Sequence, residues 1–227
     1  MMLLHPNRPA HPLVEPSDFA APTLPEQVAA HEAALRTVFA WAAEYLCAPH
    51  PELGRRGDVC PFTDTSLQKG LFFLSVHPGR PTEPAELAEL LLHYRDWFAE
   101  LEPRSGPGAQ FKTILVLFPE LREPADWSVV DRTQELLKPE YTANGLMVGE
   151  FHPGPPDKAG LWNPVFRPLN SPVPMLAIRH MVPTDFPFLR DDDVTLAAYL
   201  ERFGDRVPTH LRGDVRAAAD RLATSGS

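Results

Sequence analysis

The chain has 227 residues, of which 44% are hydrophobic and 22% charged, enough for a large domain with an apolar core. Its net charge of −9 and the lack of a basic cluster argue against nucleic-acid binding. The longest apolar run, Ile114–Phe118, is too short to span a membrane. Because the sequence shows no export signal and no CxxC pair, we expect Cys47 and Cys60 to be reduced thiols in the cytoplasm.

The predicted elements begin after a proline-containing segment. Residues 1–22 are expected to form an irregular arm, and residues 23–227 a single domain. Apolar residues recur at helical spacing from Thr23 to Leu46, which predicts one long helix that starts at the capping box of Thr23 and Glu26. The predicted strands are LFFLSV, KTILVLF, LMVGEFH and MLAIRHMV, and the later helices are TDTSLQKG, PAELAELLLHYRDWFAEL, PADWSVVDRTQELLKPEY, DDVTLAAYLERFG and RGDVRAAADRLA.

The order of these elements predicts the fold class. Helices that alternate with strands favour parallel strand pairs, whereas the third and fourth strands follow one another and favour an antiparallel edge. We therefore predict a single-domain α/β sandwich, with about four strands in a mixed sheet flanked by helices.

A proline-rich loop separates the last two strands. The chain has 27 prolines, more than twice the usual share of about 5%, and seven of them lie in PGPPDKAGLWNPVFRPLNSPVP. Prolines lower the entropy of the unfolded chain, so a long loop can be ordered without regular hydrogen bonds. Long ordered loops are commonly functional, and Trp162 and Phe166 would make this one a rigid pocket wall. The alternative is a loop that covers a sheet edge.

Glu150 and His152 are candidate catalytic residues. They lie two positions apart on one face of the third strand, and His152 is at the strand end. Open α/β sheets place their sites at strand ends next to loops. The pair could act as general acid and base or as metal ligands, and the structural alternative is a solvated pair on an edge strand.

His180 is a candidate metal ligand. It is on the apolar face of the fourth strand, where a hydrogen-bonded core histidine is the commoner case, but a neutral imidazole in an apolar wall also suits an axial haem ligand. In that hypothesis Arg179 and Arg167 pair with haem propionates or with a substrate carboxylate. Trp162, on the proline-rich loop, completes the predicted cofactor site.

Cys60 is a candidate nucleophile. It precedes a predicted helix start, where unpaired N–H groups and the helix dipole lower a thiol pKa. The motif CPF is similar to the Cys-Pro-Phe segment of glutaredoxin-like and dehydroascorbate-reductase-like proteins. The alternative is a small buried hydrophobic residue followed by Pro61 at the start of the helix.

Two families resemble this sequence. The segments HPELGRRGDVCPF, ILVLFPEL, LKPEY, GLMVGEFHPG and FRPLNSPVPMLAIRHMVPTDFPFL together resemble an uncharacterised family found in bacterial biosynthetic gene neighbourhoods, over about residues 50–191. CPFTDTSLQKGLFFLSV, ILVLFPE and PVPMLAI are similar to segments of the YqcI/YcgG family, some members of which are haem-dependent N-oxygenases. The chain departs from that family after its late strand, where RHMVPTDFPFLR stands in place of Pro, His and an Arg-Ser-Arg cluster.

Three functions follow as hypotheses. The first is a haem-dependent oxidative enzyme of secondary metabolism that acts on a small molecule such as an amine or amino acid, with His180, His152 or Cys60 as the axial ligand. The second is a haem-free enzyme that uses Glu150 and His152 as acid and base, or Cys60 as nucleophile. The third is a non-catalytic protein that binds a small molecule or a partner. The oligomeric state stays open and includes a homodimer.

Overall fold

The computed structural model describes residues 2–5, 8–157, 163 and 165–225. None of its helices is long and apolar enough to cross a bilayer. The strands are β1 (Leu3–His5), β2 (Arg8–Leu13), β3 (Phe72–Val76), β4 (Thr113–Leu117), β5 (Leu146–Phe151) and β6 (Met175–His180). The α-helices are α1 (Glu26–Ala29), α2 (Glu32–Trp41), α3 (Thr63–Gln68), α4 (Pro84–Glu100), α5 (Pro124–Ala143), α6 (Phe186–Leu189), α7 (Asp193–Phe203) and α8 (Arg212–Ser225).

Four strands form a mixed sheet in the order β3-β4-β6-β5. β3 and β4 are parallel, whereas β6 runs antiparallel to both of its neighbours, β4 and β5. The predicted α/β class and the antiparallel pairing of the last two strands are confirmed. Since β5 runs in the same direction as β3 and β4, their carboxyl ends lie together at one end of the sheet, which we call the carboxyl edge.

Helices cover both faces of this sheet, which explains why its strands are almost continuously apolar. On the first face, Ile114, Val116, Leu176 and Ile178 are fully buried beneath α4 and α5. On the second face, residues of β3, β4 and β6 pack against α2 and its neighbours. A third cluster of buried apolar side chains joins α6, α7 and α8 and includes Met147 of β5.

The N-terminal segment is more regular than predicted. β1 and β2 form a two-stranded antiparallel sheet, and Val14 bridges to Leu74 of β3 through two backbone hydrogen bonds of 2.8 Å. Leu13 and Val14 are buried as a result. The irregular arm was therefore a wrong prediction, because burial of these two side chains outweighs the low strand propensity of a proline-containing segment, which an edge position tolerates.

The predicted long first helix is interrupted. The chain forms α1, breaks at His31, where φ is −120° and ψ is 14°, and continues as α2 and a π-helical turn, Ala42–Leu46. Val28 and Leu35, on either side of the break, both remain buried. The apolar spacing is preserved across the break, so the spacing alone could not indicate it. The break directs His31 towards the carboxyl edge.

Candidate functional site

The carboxyl edge carries a pair of ionisable side chains, His31 and Glu120, that the sequence patterns did not indicate. Glu120 stands three positions after Leu117, the last residue of β4. Its Oε1 lies 3.8 Å from His31 Nδ1. Its other oxygen, Oε2, is buried and has no hydrogen-bond partner among the described residues. A buried polar atom without a partner is costly, so this oxygen can accept a hydrogen bond from water or from a ligand.

A cavity of about 150 Å³ opens beside His31. Its wall is mostly apolar, and His31 and Gln27 are its polar side chains. The apolar wall residues are Pro12, Val14, Val28, Leu35, Val76 and Pro78. The cavity can therefore hold a small hydrocarbon group next to the His31–Glu120 pair, at the end of the sheet where α/β proteins place their ligands.

His152 lies at the carboxyl edge as predicted, but its ring is enclosed by the protein. Its Nε2 is 2.9 Å from Asp131 Oδ1, and its Nδ1 accepts the Gly154 N–H at 3.2 Å. These bonds assign the proton to Nε2, which donates to Asp131. The ring also packs against Trp127, with 5.2 Å between centroids. His152 thus ties the end of β5 and the start of the proline-rich loop to α5.

Glu150 is two positions before His152 in the sequence. Both residues are buried, with 1% of their surface exposed. The register partner of Glu150 on β6 is Leu176, in the core beneath α4 and α5. The structural alternative for these residues, a solvated pair on an edge strand, is therefore wrong. The acid–base hypothesis for Glu150 and His152 stays a prediction, although the burial of both side chains limits access by a substrate.

His180 lies at the other end of the sheet, where its register partner is Leu146. Its ring contacts that of Phe98, with 5.0 Å between centroids, and Nε2 is buried without a hydrogen-bond partner among the described residues. Burial first, and then the positive charges of Lys112 and Arg202, together lower the pKa of His180 from 6.5 to about 4. His180 is therefore neutral at pH 7.

The surroundings of His180 do not fit haem. An unpartnered buried nitrogen is a potential iron ligand, but the face of β6 that carries His180 is filled by α4 and α5. Leu176 and Ile178, which precede His180 on that face, are both fully buried. A flat macrocycle would have to displace these helices.

Arg179 is already engaged in an internal ion pair. Its guanidinium donates two hydrogen bonds of 2.7 Å to Asp185, and Asp185 also accepts the Val182 N–H at 2.8 Å. A bidentate pair of this kind is strong and geometrically specific. Arg179 therefore holds the turn after β6 in place, and binding of a propionate would require that pair to break.

The two cysteines are free thiols and partly buried. The Cys60 N–H donates to the Leu46 carbonyl at 2.9 Å, and α3 begins three positions later, at Thr63. Burial first, and then the nearby charge of Asp64, raise the pKa of the Cys47 thiol to about 11, so Cys47 is no nucleophile at neutral pH. The nucleophilic role of Cys60 stays a prediction.

The described parts of the proline-rich loop are anchored to the segment after α2. The Phe166 ring stacks on His50, with 4.6 Å between centroids, and the Asn163 side chain donates to the Glu52 carbonyl at 2.8 Å. Arg167 forms an ion pair with Asp157 inside the loop. Each of these contacts fixes loop residues that lack a regular hydrogen-bond ladder, and the role of the loop as a pocket wall stays a prediction.

Trp162 lies outside the described residues. Within the described part of the chain, no three His, Cys, Asp or Glu side chains are grouped so that they could hold a metal ion.

Residues 35–214 match a family model described as a domain of unknown function, DUF6875. The chain belongs to this family. The match confirms the expectation of an uncharacterised family over most of the chain. No curated protein and no solved structure matches the chain. Because the family carries no assigned activity, the function has to be argued from the site itself.

The His31–Glu120 pair depends on contacts that sequence patterns do not contain. The two residues are 89 positions apart and meet only because α2 packs on β4 at the carboxyl edge. The available signal was the acidic residue directly after the buried strand, in the segment ILVLFPE. Glu120 is within the family match, and His31 precedes it.

Proposed function

We propose that this protein is a haem-free enzyme that transfers a proton on a small amine or amino acid, with Glu120 and His31 as its acid–base pair. The observation that carries the proposal is the buried Oε2 of Glu120, which has no hydrogen-bond partner among the described residues and belongs to a carboxylate beside His31. The cavity next to His31 supplies a place for the apolar part of the substrate.

The geometry of the pair leaves both groups available to a substrate. The 3.8 Å between His31 Nδ1 and Glu120 Oε1 exceeds a hydrogen-bond length, so the two groups do not satisfy each other. A substrate ammonium group would donate to Glu120, and a charge-assisted bond to a carboxylate is stronger than a neutral one. Glu120 would then accept a proton from the substrate while protonated His31 donates one to another substrate atom.

The cavity and the carboxylate together define the expected ligand. A volume of about 150 Å³ with six apolar wall residues suits a short branched hydrocarbon chain. A cationic group on that chain complements Glu120, whereas a carboxylate in place of that cationic group would be repelled. A cytoplasmic location is proposed as well, and the two free thiols support it.

Two probes test the binding part of the proposal, because isopentylamine and isovalerate share a branched chain and differ in charge. Calorimetry should detect isopentylamine binding to the wild type and no isovalerate binding. Glu120→Gln should weaken amine binding by at least about tenfold, which is the loss of one charge-assisted bond. Glu135→Gln, at an exposed position of α5, is the matched control and should leave it unchanged. Equal binding of both probes would refute the site.

Turnover tests the catalytic part. Proton NMR of a panel of branched amines and amino acids, incubated with the wild type, should show the conversion of at least one compound. Glu120→Gln and His31→Gln should each abolish that conversion, and Glu135→Gln should not. If isopentylamine binds but no compound is converted, the protein is a binding protein and the enzymatic proposal fails.

Haem-dependent oxidation is the second candidate. The resemblance to the YqcI/YcgG family motivates it, and the buried, unpartnered Nε2 of His180 favours it, whereas the packing of α4 and α5 opposes it. Titration with hemin decides between the two candidates. Our proposal expects no stoichiometric Soret band, and a band of one haem per chain that His180→Ala abolishes would establish the haem enzyme instead.

A further inference from the structure

A pair of imidazoles lies beside β3, an outer strand of the four-stranded sheet. His11 belongs to β2, and His77 directly follows β3. Their rings are stacked, with 5.9 Å between centroids and 24° between planes. We infer that His11 and His77 form a two-histidine site for a divalent transition-metal ion.

Backbone contacts hold the His11 ring and the main chain of His77. His11 Nδ1 is 3.3 Å from the carbonyl oxygen of Val76, so its proton is assigned to Nδ1 and the lone pair to Nε2. A hydrogen bond from one ring nitrogen to a carbonyl is the usual way in which proteins orient a histidine that binds a metal through the other. The His77 N–H donates to the Leu117 carbonyl at 2.9 Å, which anchors His77 at the end of β3.

The second ring has a nitrogen that the described residues leave unsatisfied. His77 Nδ1 is buried and has no hydrogen-bond partner among them. The Phe118 ring, 6.0 Å away between centroids, shields one side of His77 from water.

The ligand set selects the class of ion. Imidazole nitrogens suit Zn²⁺, Cu²⁺ and Ni²⁺, whereas Mg²⁺ and Ca²⁺ require oxygen ligands. Since the described residues contain no group of three potential ligands, water or a bound molecule has to complete the coordination. Such a site has open positions, which distinguishes it from a closed structural zinc site.

Copper titration followed by electron paramagnetic resonance tests this inference. The wild type should bind one Cu²⁺ per chain with nitrogen hyperfine structure, and Zn²⁺ should displace it. His11→Gln and His77→Gln should each weaken binding by at least about tenfold, since each removes one of two ligands. His210→Gln, at an exposed position, is the control for surface binding and should have no effect.

Two outcomes would overturn the site: His11→Gln with wild-type affinity, or an equal loss in His210→Gln. Zn²⁺ should also shift the ring resonances of His11 and His77 in the NMR spectrum of the unmodified protein, which removes any dependence on variants that fold poorly. Glu120→Gln should retain copper binding, so failure of the acid–base proposal and failure of the metal site can be told apart.

Discussion

His152 and His180 lie at opposite ends of the same antiparallel strand pair. In the register of β5 and β6, Phe151 faces Met175 and Leu146 faces His180. Six residue steps of about 3.4 Å place the two histidines roughly 20 Å apart along the strands. The proline-rich loop connects the end of β5 to the start of β6, which is the end of the strand pair that carries His152. One small ligand therefore cannot contact both histidines, and the two candidate sites have to be tested separately.

We predict that the Arg179–Asp185 pair stabilises the fold. Asp185 is buried, accepts both guanidinium bonds and also receives the Val182 N–H. Asp185→Ala leaves Arg179 without its partner and should lower the free energy of unfolding by about 2–4 kcal/mol, less than for a fully buried pair because Arg179 is partly exposed. Urea unfolding measures this change.

The control for that prediction is an exposed ion pair. Glu32→Ala removes the i, i+4 partner of Arg36 on α2 and should cost about 0.3–0.5 kcal/mol. If Asp185→Ala costs no more than Glu32→Ala, Arg179 is free to bind other groups, and its proposed role with a carboxylate ligand regains support.

Acid should destabilise the protein through His180. Its folded-state pKa of about 4 is below the ordinary 6.5, so between these values the unfolded chain binds a proton that the folded chain does not. The contribution of His180 to stability is complete above pH 6.5 and is lost as the pH falls towards 4. Urea unfolding at pH 7, 5.5 and 4 should show a smaller acid loss in His180→Gln than in the wild type. Parallel curves would mean that His180 titrates normally.

Lys112 should also make stability rise with pH, but in the alkaline range. Its amino group is fully buried and donates to the carbonyls of Phe98 and Leu101, at the carboxyl end of α4, at 2.7 and 2.6 Å. Burial lowers its pKa from 10.5 to about 8. The unfolded chain then holds the proton between pH 8 and 10.5 while the folded chain releases it, so this group makes stability rise across that window.

Lys112→Met tests this assignment. The variant leaves two carbonyls without a donor and should lose about 1–3 kcal/mol at pH 7. It should also lack the gain between pH 8 and 10.5. Lys69→Met, at an exposed position after α3, is the control and should retain the wild-type pH dependence. A variant that keeps the alkaline gain would show that another group causes it.

The fold could be predicted from the sequence because its local patterns agree with its tertiary structure. Continuous apolar runs gave β3 and β4, and helical spacing gave α4 and α5 within one or two residues of their observed ends. The prediction of one long helix from Thr23 to Leu46 failed because the apolar spacing continues across the break at His31. The alternation in β6 correctly placed His180 on the apolar face. Alternation does not show, however, at which end of the sheet a residue lies.

The candidate site could not be predicted because it depends on long-range contacts. His31 meets Glu120 across 89 positions, and His152 meets Asp131 across 21. Residue types and predicted strand ends can be recognised in the sequence, and they indicated His152 at the carboxyl edge. It cannot show that a ring is enclosed by partners from another helix, which is what separates an anchoring histidine from an accessible one.

Chemical modification should distinguish those two roles for His152. Diethylpyrocarbonate reacts with accessible neutral imidazoles, and the His152 side chain is 2% exposed with both ring nitrogens hydrogen-bonded. Mass spectrometry should find His93 and His210, which are exposed, modified early and His152 protected. Asp131→Ala removes the acceptor of Nε2 and should increase the rate at His152, whereas Asp96→Ala on α4 should not. Early modification of His152 in the wild type would show that its ring is accessible, and Glu150 with His152 would then replace Glu120 with His31 as the leading acid–base pair.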